Sequence, residues 1–177
     1  IALLGIIGNT GYQLLFMLGI SVTSASNSGL IVATVPIFVA LFSGLLKLDR
    51  LTPKSWAGIV LSFVGLFVII NASGNGIRLG DATLWGDLSV LGAAISWALY
   101  TVLSRPLLAK YSSITFTTWS MAAGAPTVML AAVPALLHAD FISISLFTWL
   151  SILFSAILAL AVGYIIWNAG IHRLGQA

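Results

Sequence analysis

Charge is what this sequence has least of. Asp, Glu, Lys and Arg make up 6% of its 177 residues, where a soluble domain carries roughly 25%. Seven basic and four acidic side chains cannot cover the surface of a soluble protein of this size. Cysteine is absent altogether. That excludes a disulfide framework and thiolate metal sites, and it leaves the redox compartment open. Only two histidines occur, His138 and His172. They lie at the ends of different apolar runs, on opposite sides of a membrane, so they share no site. No pair of His or carboxylate residues has metal-ligand spacing, and no glycine-rich phosphate loop precedes a lysine. Hydrolysis by an activated serine needs a base and an orienting group within reach, and no such set is present. The sequence therefore predicts neither an enzyme nor a cofactor. The net charge of +3 comes from basic residues scattered at run ends, so no nucleic-acid partner is expected.

What fills the sequence is apolar. Hydrophobic residues make up 60%, and the mean hydropathy is +1.13. A lipid bilayer is the partner this implies, and the class is an all-α polytopic membrane protein. Long charge-free runs, each near the ~20 residues that cross a ~30 Å core, predict six helices. They fall at roughly 1–20, 28–46, 55–71, 86–104, 114–137 and 146–171. Runs of this length speak against a β-barrel, whose segments alternate over ~10 residues. Ile1 starts inside an apolar run with no initiator Met, and His172-Arg173-Leu174-Gly175-Gln176-Ala177 stops just past a helix exit. The sequence reads as the middle of a longer protein.

Six connected helices put alternate linkers on opposite sides. Lys47, Arg50, Lys54, Arg105, Lys110 and Arg173 then share one side, and only Arg78 falls on the other. The positive-inside rule makes the richer side cytoplasmic, in a multi-pass cell (inner) membrane protein whose first helix starts in the cytoplasm. The stretch 72–85, rich in Gly, Asn, Ser and Asp, is the one candidate boundary. It separates three helices in 1–71 from three in 86–177. Asn71-Ala72-Ser73 matches a glycosylation acceptor, but so short a motif recurs by chance, and an ordinary polar loop is expected. The endings Gly19-Ile20 and Gly170-Ile171 sit alike in the first and last helices, 151 residues apart, and Gly11-Tyr12 resembles Gly163-Tyr164 one residue out of that register, a short and imperfect repeat.

On the second helix, Gly29, Ala33, Pro36, Ala40 and Gly44 recur at steps of three and four. They form a smooth stripe suited to close helix packing, which in lipid depends on small residues. Pro36 is expected to bend or loosen the helix. On this basis Gly29→Leu and Ala40→Leu are predicted to harm folding more than Val39→Leu.

Polar and aromatic faces appear on three helices. Asn9, Tyr12, Gln13 and Phe16 lie on one side of the first. Ser89, Gly92, Ala93, Ser96 and Tyr100, with Trp97 beside them, make a face on the fourth. Tyr164, Asn168 and His172 form a row on the sixth. Each amide alone reads most simply as an interhelical hydrogen bond. Three such faces together read as a lined pathway, because unpaired polar groups do not face lipid. Trp85, Trp119, Trp149 and Tyr111 lie near span ends, as interfacial anchors do. Asp87 is expected in the first turn of the fourth helix, where an acid favours the helix dipole. Proton-coupled carriers usually hold a buried ionisable residue, and none is expected inside these spans.

The residues also carry a family resemblance. Thr23 to Leu46 (TSASNSGLIVATVPIFVALFSGLL), followed by Leu48 to Ile69 (LDRLTPKSWAGIVLSFVGLFVI), resembles the later part of the first repeat of EamA-like transporters in the drug/metabolite transporter superfamily. Gly86 to Leu107 (GDLSVLGAAISWALYTVLSRPL) resembles the start of that family's second repeat, and Gly163 to Ala177 (GYIIWNAGIHRLGQA) its third helix. The resemblance implies ten helices in two inverted repeats, of which this chain holds about helices three to eight. Leu48-Asp49 stands where Gly-Glu is common, and Gly175-Gln176-Ala177 where Gly-Ala-Ser or similar is usual. The resemblance implies alternating-access transport of small organic solutes, in the manner of metabolite, amino acid or drug efflux, with the solute left open. The alternatives are an intramembrane enzyme and a structural or sensory subunit. By analogy the pathway candidates are Asn9, Tyr12, Gln13, Ser28, Thr34, Trp97, Tyr100, Tyr164 and Asn168. On that reading Asn168→Ala and Tyr100→Ala impair transport while folding survives. Oligomeric state is not legible.

Overall fold

The structure, a computed structural model, describes residues 1–48, 52–72, 81–138, 140–141 and 143–174. Six helices run through them: α1 Ala2–Ile20, α2 Ala25–Leu45, α3 Pro53–Ala72, α4 Asp81–Leu108, α5 Ser113–Leu137 and α6 Leu146–Arg173. Among the described residues there is no strand. Among the described residues, α1, α2, α4, α5 and α6 are long and apolar enough to cross a membrane. The fold is that of an all-α polytopic membrane protein. Most of the linker 72–85, the substitution at Asp49 and the ending Gly175-Gln176-Ala177 lie outside the described residues.

The helix starts are set by local chemistry. Ser24, Ser112 and Ser145 take extended backbone, and each accepts from the backbone N–H three residues on, at 3.1, 3.2 and 3.2 Å. Each bond satisfies one donor that a helix N-terminus leaves free. The Ser24 cap moves the start of α2 three residues ahead of the expected Ser28. α4 is likewise longer than its uncharged run. It begins by Asp81 and continues through Arg105 and Pro106 to Leu108, because a proline in the last turn removes only one intrahelical donor. α2 ends with Lys47 at φ 55°. The Leu48 N–H bonds the Ser43 carbonyl at 2.9 Å, and the Lys47 N–H bonds that of Gly44 at 3.1 Å. This left-handed closure satisfies two terminal carbonyls.

α4 is the central post. α1 runs along most of its length, α2 packs against its middle, and α6 meets it near Trp97. α5 closes over the first half of α1 and the last part of α6. At the far end, Arg105 Nη1 donates to the Leu48 carbonyl at 3.1 Å, and His172 Nδ1–H donates to that of Leu108 at 2.6 Å. The C-terminal ends of α2, α4 and α6 therefore share one end of the bundle.

The closest backbone approaches are on α1, not on the α2 stripe. A Cβ on Gly8 would lie 2.2 Å from the Tyr100 ring. One on Gly19 would lie 2.4 Å from Val90 Cγ2 and 2.9 Å from the Gly86 oxygen. Here glycine is required because no side chain fits between the helices. On α2, a Cβ at Gly29 or Gly44 meets nothing within 4 Å, and Pro36 is exposed while Ala33 is half-buried. The buried face consists of Val35, Val39, Ala40 and Ser43. The reason is a break at Ala33 and Thr34, with ψ of −12° and −11°. ψ near −42° keeps the regular α-helical winding. Two tighter residues, one turn ahead of Pro36, rotate the rest of α2, so one stripe cannot stay on one face.

Two small cores result. Leu4, Tyr100, Leu108, Phe116, Tyr164 and Ile171 form one, and Val35, Val39, Ala94, Ala98 and Val102 the other. Trp97 packs against both. The outer faces of α5 and α6 are bare apolar surface, with Leu137 76% and Phe147 80% exposed, as a lipid-facing surface is.

Candidate functional site

Trp97 is the hub. Its ring lies 5.1 Å from Tyr12 of α1, 5.4 Å from Tyr100 one turn along α4, and 5.0 Å and 5.6 Å from Tyr164 and Trp167 of α6. Tyr12 in turn stacks on Phe16 at 5.6 Å. Aromatic residues of the faces read on α1, α4 and α6 thus meet at Trp97. Helix geometry contributes to this. α1 is widened to a π-helix over Ile6–Gly11, immediately before Tyr12. α6 is widened over Ser155–Val162, two residues before Tyr164. Such widenings change which residues face inward and loosen the backbone hydrogen-bond ladder. The Tyr164 hydroxyl reaches across to a carbonyl in the first of them, Gly8 O, at 3.4 Å.

Most polar groups around the hub are bonded to one another. Asn168 is fully buried, and its Nδ2 donates to the Tyr100 hydroxyl at 2.9 Å and to Thr117 Oγ1 of α5 at 2.8 Å. Trp167 Nε1–H donates to Thr101 Oγ1 at 3.3 Å, which fixes the indole against Trp97. Asn9 points toward α5, donating from Nδ2 to Ser120 Oγ at 3.2 Å. Beside it Thr10 Oγ1 donates to the Gly124 carbonyl at 3.1 Å. Tyr12 and Gln13 differ from these. Both are half-buried, and neither makes a side-chain hydrogen bond among the described residues. Next to the Trp97 ring, α1 therefore presents a phenol hydroxyl, with a carboxamide as the next residue, neither engaged by the protein.

The remaining candidates lie apart. Ser28 Oγ donates to the Ser24 carbonyl at 3.0 Å, and Thr34 Oγ1 to that of Ile31 at 2.5 Å. These bonds close their own turns of α2 and reach no residue of the hub. His172 belongs to the end of α4 rather than to the polar row. Asp87 is not in a first turn, because α4 has already begun at Asp81. Its carboxylate accepts instead from the Thr23 hydroxyl and from Asn27 Nδ2. A separate open recess of about 540 Å³ lies between the start of α1 and α5, lined by Ile1, Ala2, Tyr111, Thr115, Trp119, Ala122 and Ala123. It holds none of the hub residues.

Sequence reasoning missed Trp167, Thr101, Phe116, Thr117 and Ser120. Two carried a usable signal: Trp167 is three residues from Tyr164, and Thr101 is four from Trp97, so each shares a helix face with a residue already singled out. The α5 residues gave less, since a few small hydroxyls in an apolar helix have no distinctive period.

The sequence pattern of the EamA-like transporter family matches residues 1–71 and 84–177. An uncharacterised transporter of Bacillus subtilis, YyaM, is 30% identical over 98% of this chain and 57% of its own length. A protein named as a probable terminal-alkyne amino-acid exporter, from Streptantibioticus cattleyicolor, is 29% identical over 100% of this chain and 57% of its own. The aromatic amino acid exporter YddG of Ancylobacter novellus is 29% identical over 57% of this chain and 35% of its own. A solved crystal structure shares the fold, with a TM-score of 0.81 and 24% identity over 97% of this chain and 58% of that one. The chain spans a little over half the length of the first two of these relatives.

Proposed function

The chain belongs to the EamA-like transporter family, and from that premise we propose that the full protein moves a small organic solute across the cell membrane by alternating access. The observation that carries this reading is the hub: Trp97 ringed by aromatic side chains from three helices, one of them Tyr12, whose hydroxyl is unengaged and whose neighbour in sequence is the unengaged Gln13. An aromatic wall with neutral hydrogen-bonding groups suits an amphipathic or zwitterionic solute. A strongly charged one would be desolvated with no countercharge to offset the loss. The names of two relatives, both amino-acid exporters, favour amino acids and the outward direction.

Residues 1–71 and 86–177 are parts of two inverted repeats joined by 72–85, and rocking of the halves exposes the hub to either side. The basic bias places the ends of α2, α4 and α6 in the cytoplasm. The α1–α2 turn then faces outward, in a bacterial inner membrane.

The test is counterflow in liposomes by the full-length protein, on a panel of amino acids and hydrophobic cations. The expected result is exchange of unmodified solute, abolished by Trp97→Ala and reduced less by Trp97→Phe, which keeps most of the apolar wall. Chemical alteration of the solute, or full activity in Trp97→Ala, overturns the reading.

A further inference from the structure

The α1–α2 turn is held to α4 by two adjoining contacts. Gly19 and Gly86 bring the backbones together, so that a Cβ on either would lie 2.9 Å from the other's carbonyl oxygen. At the next residue, the Asp87 carboxylate accepts from the Thr23 hydroxyl and from Asn27 Nδ2, which is 3.1 Å from Oδ1 and 3.2 Å from Oδ2. Asn27 is 3% exposed. Thr23 and Asn27 flank the start of α2, so one carboxylate binds both sides of the turn. At 1.5 Å per residue, Asp87 lies about 15 Å along α4 from Trp97.

We propose that Asp87 is the latch of a gate, closing this end of the pathway over the hub and parting when the pathway opens there. This rests on the transport reading above and extends it to the moving contact. Asp87 is only half-buried, so its carboxylate can trade the Thr23 and Asn27 bonds for water, which a fully buried tie could not do without cost. The α1–α4 seam also changes character along its length. Around Gly8 it is an interlocked aromatic contact, with Tyr100 resting on the glycine. At Gly19 and Gly86 it is backbone, Val90 and hydrogen bonds. Hydrogen bonds to a carboxylate exchange readily for water, whereas separating packed rings exposes apolar surface. The seam therefore parts at the Asp87 end and pivots on the aromatic end. Asp87 acts through α4 and the turn, as a positioning residue.

Two measurements on the full-length protein test the latch. In the first, Val90→Cys reports the space beneath Gly19, where Val90 is fully buried. Ser104→Cys, fully buried near the other end of α4, is the control. Any cysteine outside these residues is replaced beforehand. In detergent, maleimide labelling at Val90→Cys is expected to rise about tenfold in both Asp87→Asn and Asp87→Ala, the scale of losing a charged hydrogen bond. Labelling at Ser104→Cys stays constant. No rise at Val90→Cys, or an equal rise at both sites, overturns the latch. In the second, Thr23→Cys with Asp87→Cys is joined by a short bifunctional thiosulfonate. Counterflow is expected to fall about tenfold or more on bridging and to return on reduction. Exchange at the unbridged rate overturns the latch. If no solute is exchanged by any variant, it is the transport reading that fails, while the labelling result still decides whether Asp87 holds this end shut.

Discussion

Trp97 meets Tyr164 edge-on, with ring centroids 5.0 Å apart and planes at 83°. Such a pair is worth roughly 0.5–1.5 kcal/mol beyond the area it buries. The same Tyr164 donates its hydroxyl to Gly8 of α1, so a single side chain couples α6, α4 and α1. The hub is tied on its α6 side by the hydrogen bonds of Tyr164, Trp167 and Asn168, whereas on its α1 side Tyr12 and Gln13 have no hydrogen-bonding partner among the described residues. Division of the cluster into groups that tie helices and groups left for a solute gives the first two predictions.

Tyr12→Phe and Gln13→Leu are expected to lower solute exchange severalfold, with the melting temperature in detergent within the scatter of wild type. Neither change breaks a hydrogen bond present in the structure. A melting temperature that falls in step with activity would place both residues among the helix ties.

Asn168→Ala and Tyr100→Phe are expected to lower thermal stability, and activity with it. Asn168→Ala strands the Tyr100 hydroxyl and Thr117, at a cost of about 1–3 kcal/mol. This reverses the sequence expectation that folding survives, because the Asn168 amide is shared among three helices. Heating each variant and measuring the fraction still monodisperse checks it. A variant with intact stability and lost transport restores Asn168 to the solute.

Gly8→Ala and Gly19→Ala are expected to cost about 1–3 kcal/mol by overpacking, and Gly44→Ala much less. The new methyl meets the Tyr100 ring at Gly8 and Val90 at Gly19, but nothing within 4 Å at Gly44. Ala40→Leu is expected to be harmful, since Ala40 is buried, and Gly29→Leu far less so. The comparison is made on melting temperatures of the purified full-length variants. Equal sensitivity at Gly8 and Gly44 would show that α2 acquires a close neighbour on that side in the whole protein.

Reporter fusions after Lys54, Lys110 and Arg173 are expected to read as cytoplasmic, and a fusion within 75–81 as external. A cytoplasmic signal from the latter would reverse the orientation and send the Asp87 latch to the inner side.

The number of helices and their apolar nature follow from the sequence alone, whereas the start of α2 at Ala25 and the extent of α4 over Asp81–Leu108 do not. A charge-free run of some twenty residues has no alternative in a membrane but a helix, because every backbone polar group must be satisfied within the segment. The sequence also determined that Trp97, Tyr100, Tyr164 and Asn168 lie on inward faces, since amides and phenol hydroxyls are costly against lipid. It did not determine what those faces meet. In soluble proteins hydrophobicity separates inside from outside. Here the exposed Phe147 and the core residue Phe116 are the same residue type. Periodicity names a stripe, but only the relative placement of helices decides that Gly8 and Gly19 carry the tight contacts while Gly29 and Gly44 stand open. Two kinds of irregularity that no period reveals, the break at Ala33–Thr34 in α2 and the widened turns of α1 and α6, change which residues of those three helices face inward. In the packed structure Asn9 meets α5, Ser28 and Thr34 bond within their own turns, and Trp167 meets Trp97. Tertiary structure decided these points because packing in lipid depends on shape and paired polar groups, and both become visible only when two helices are side by side.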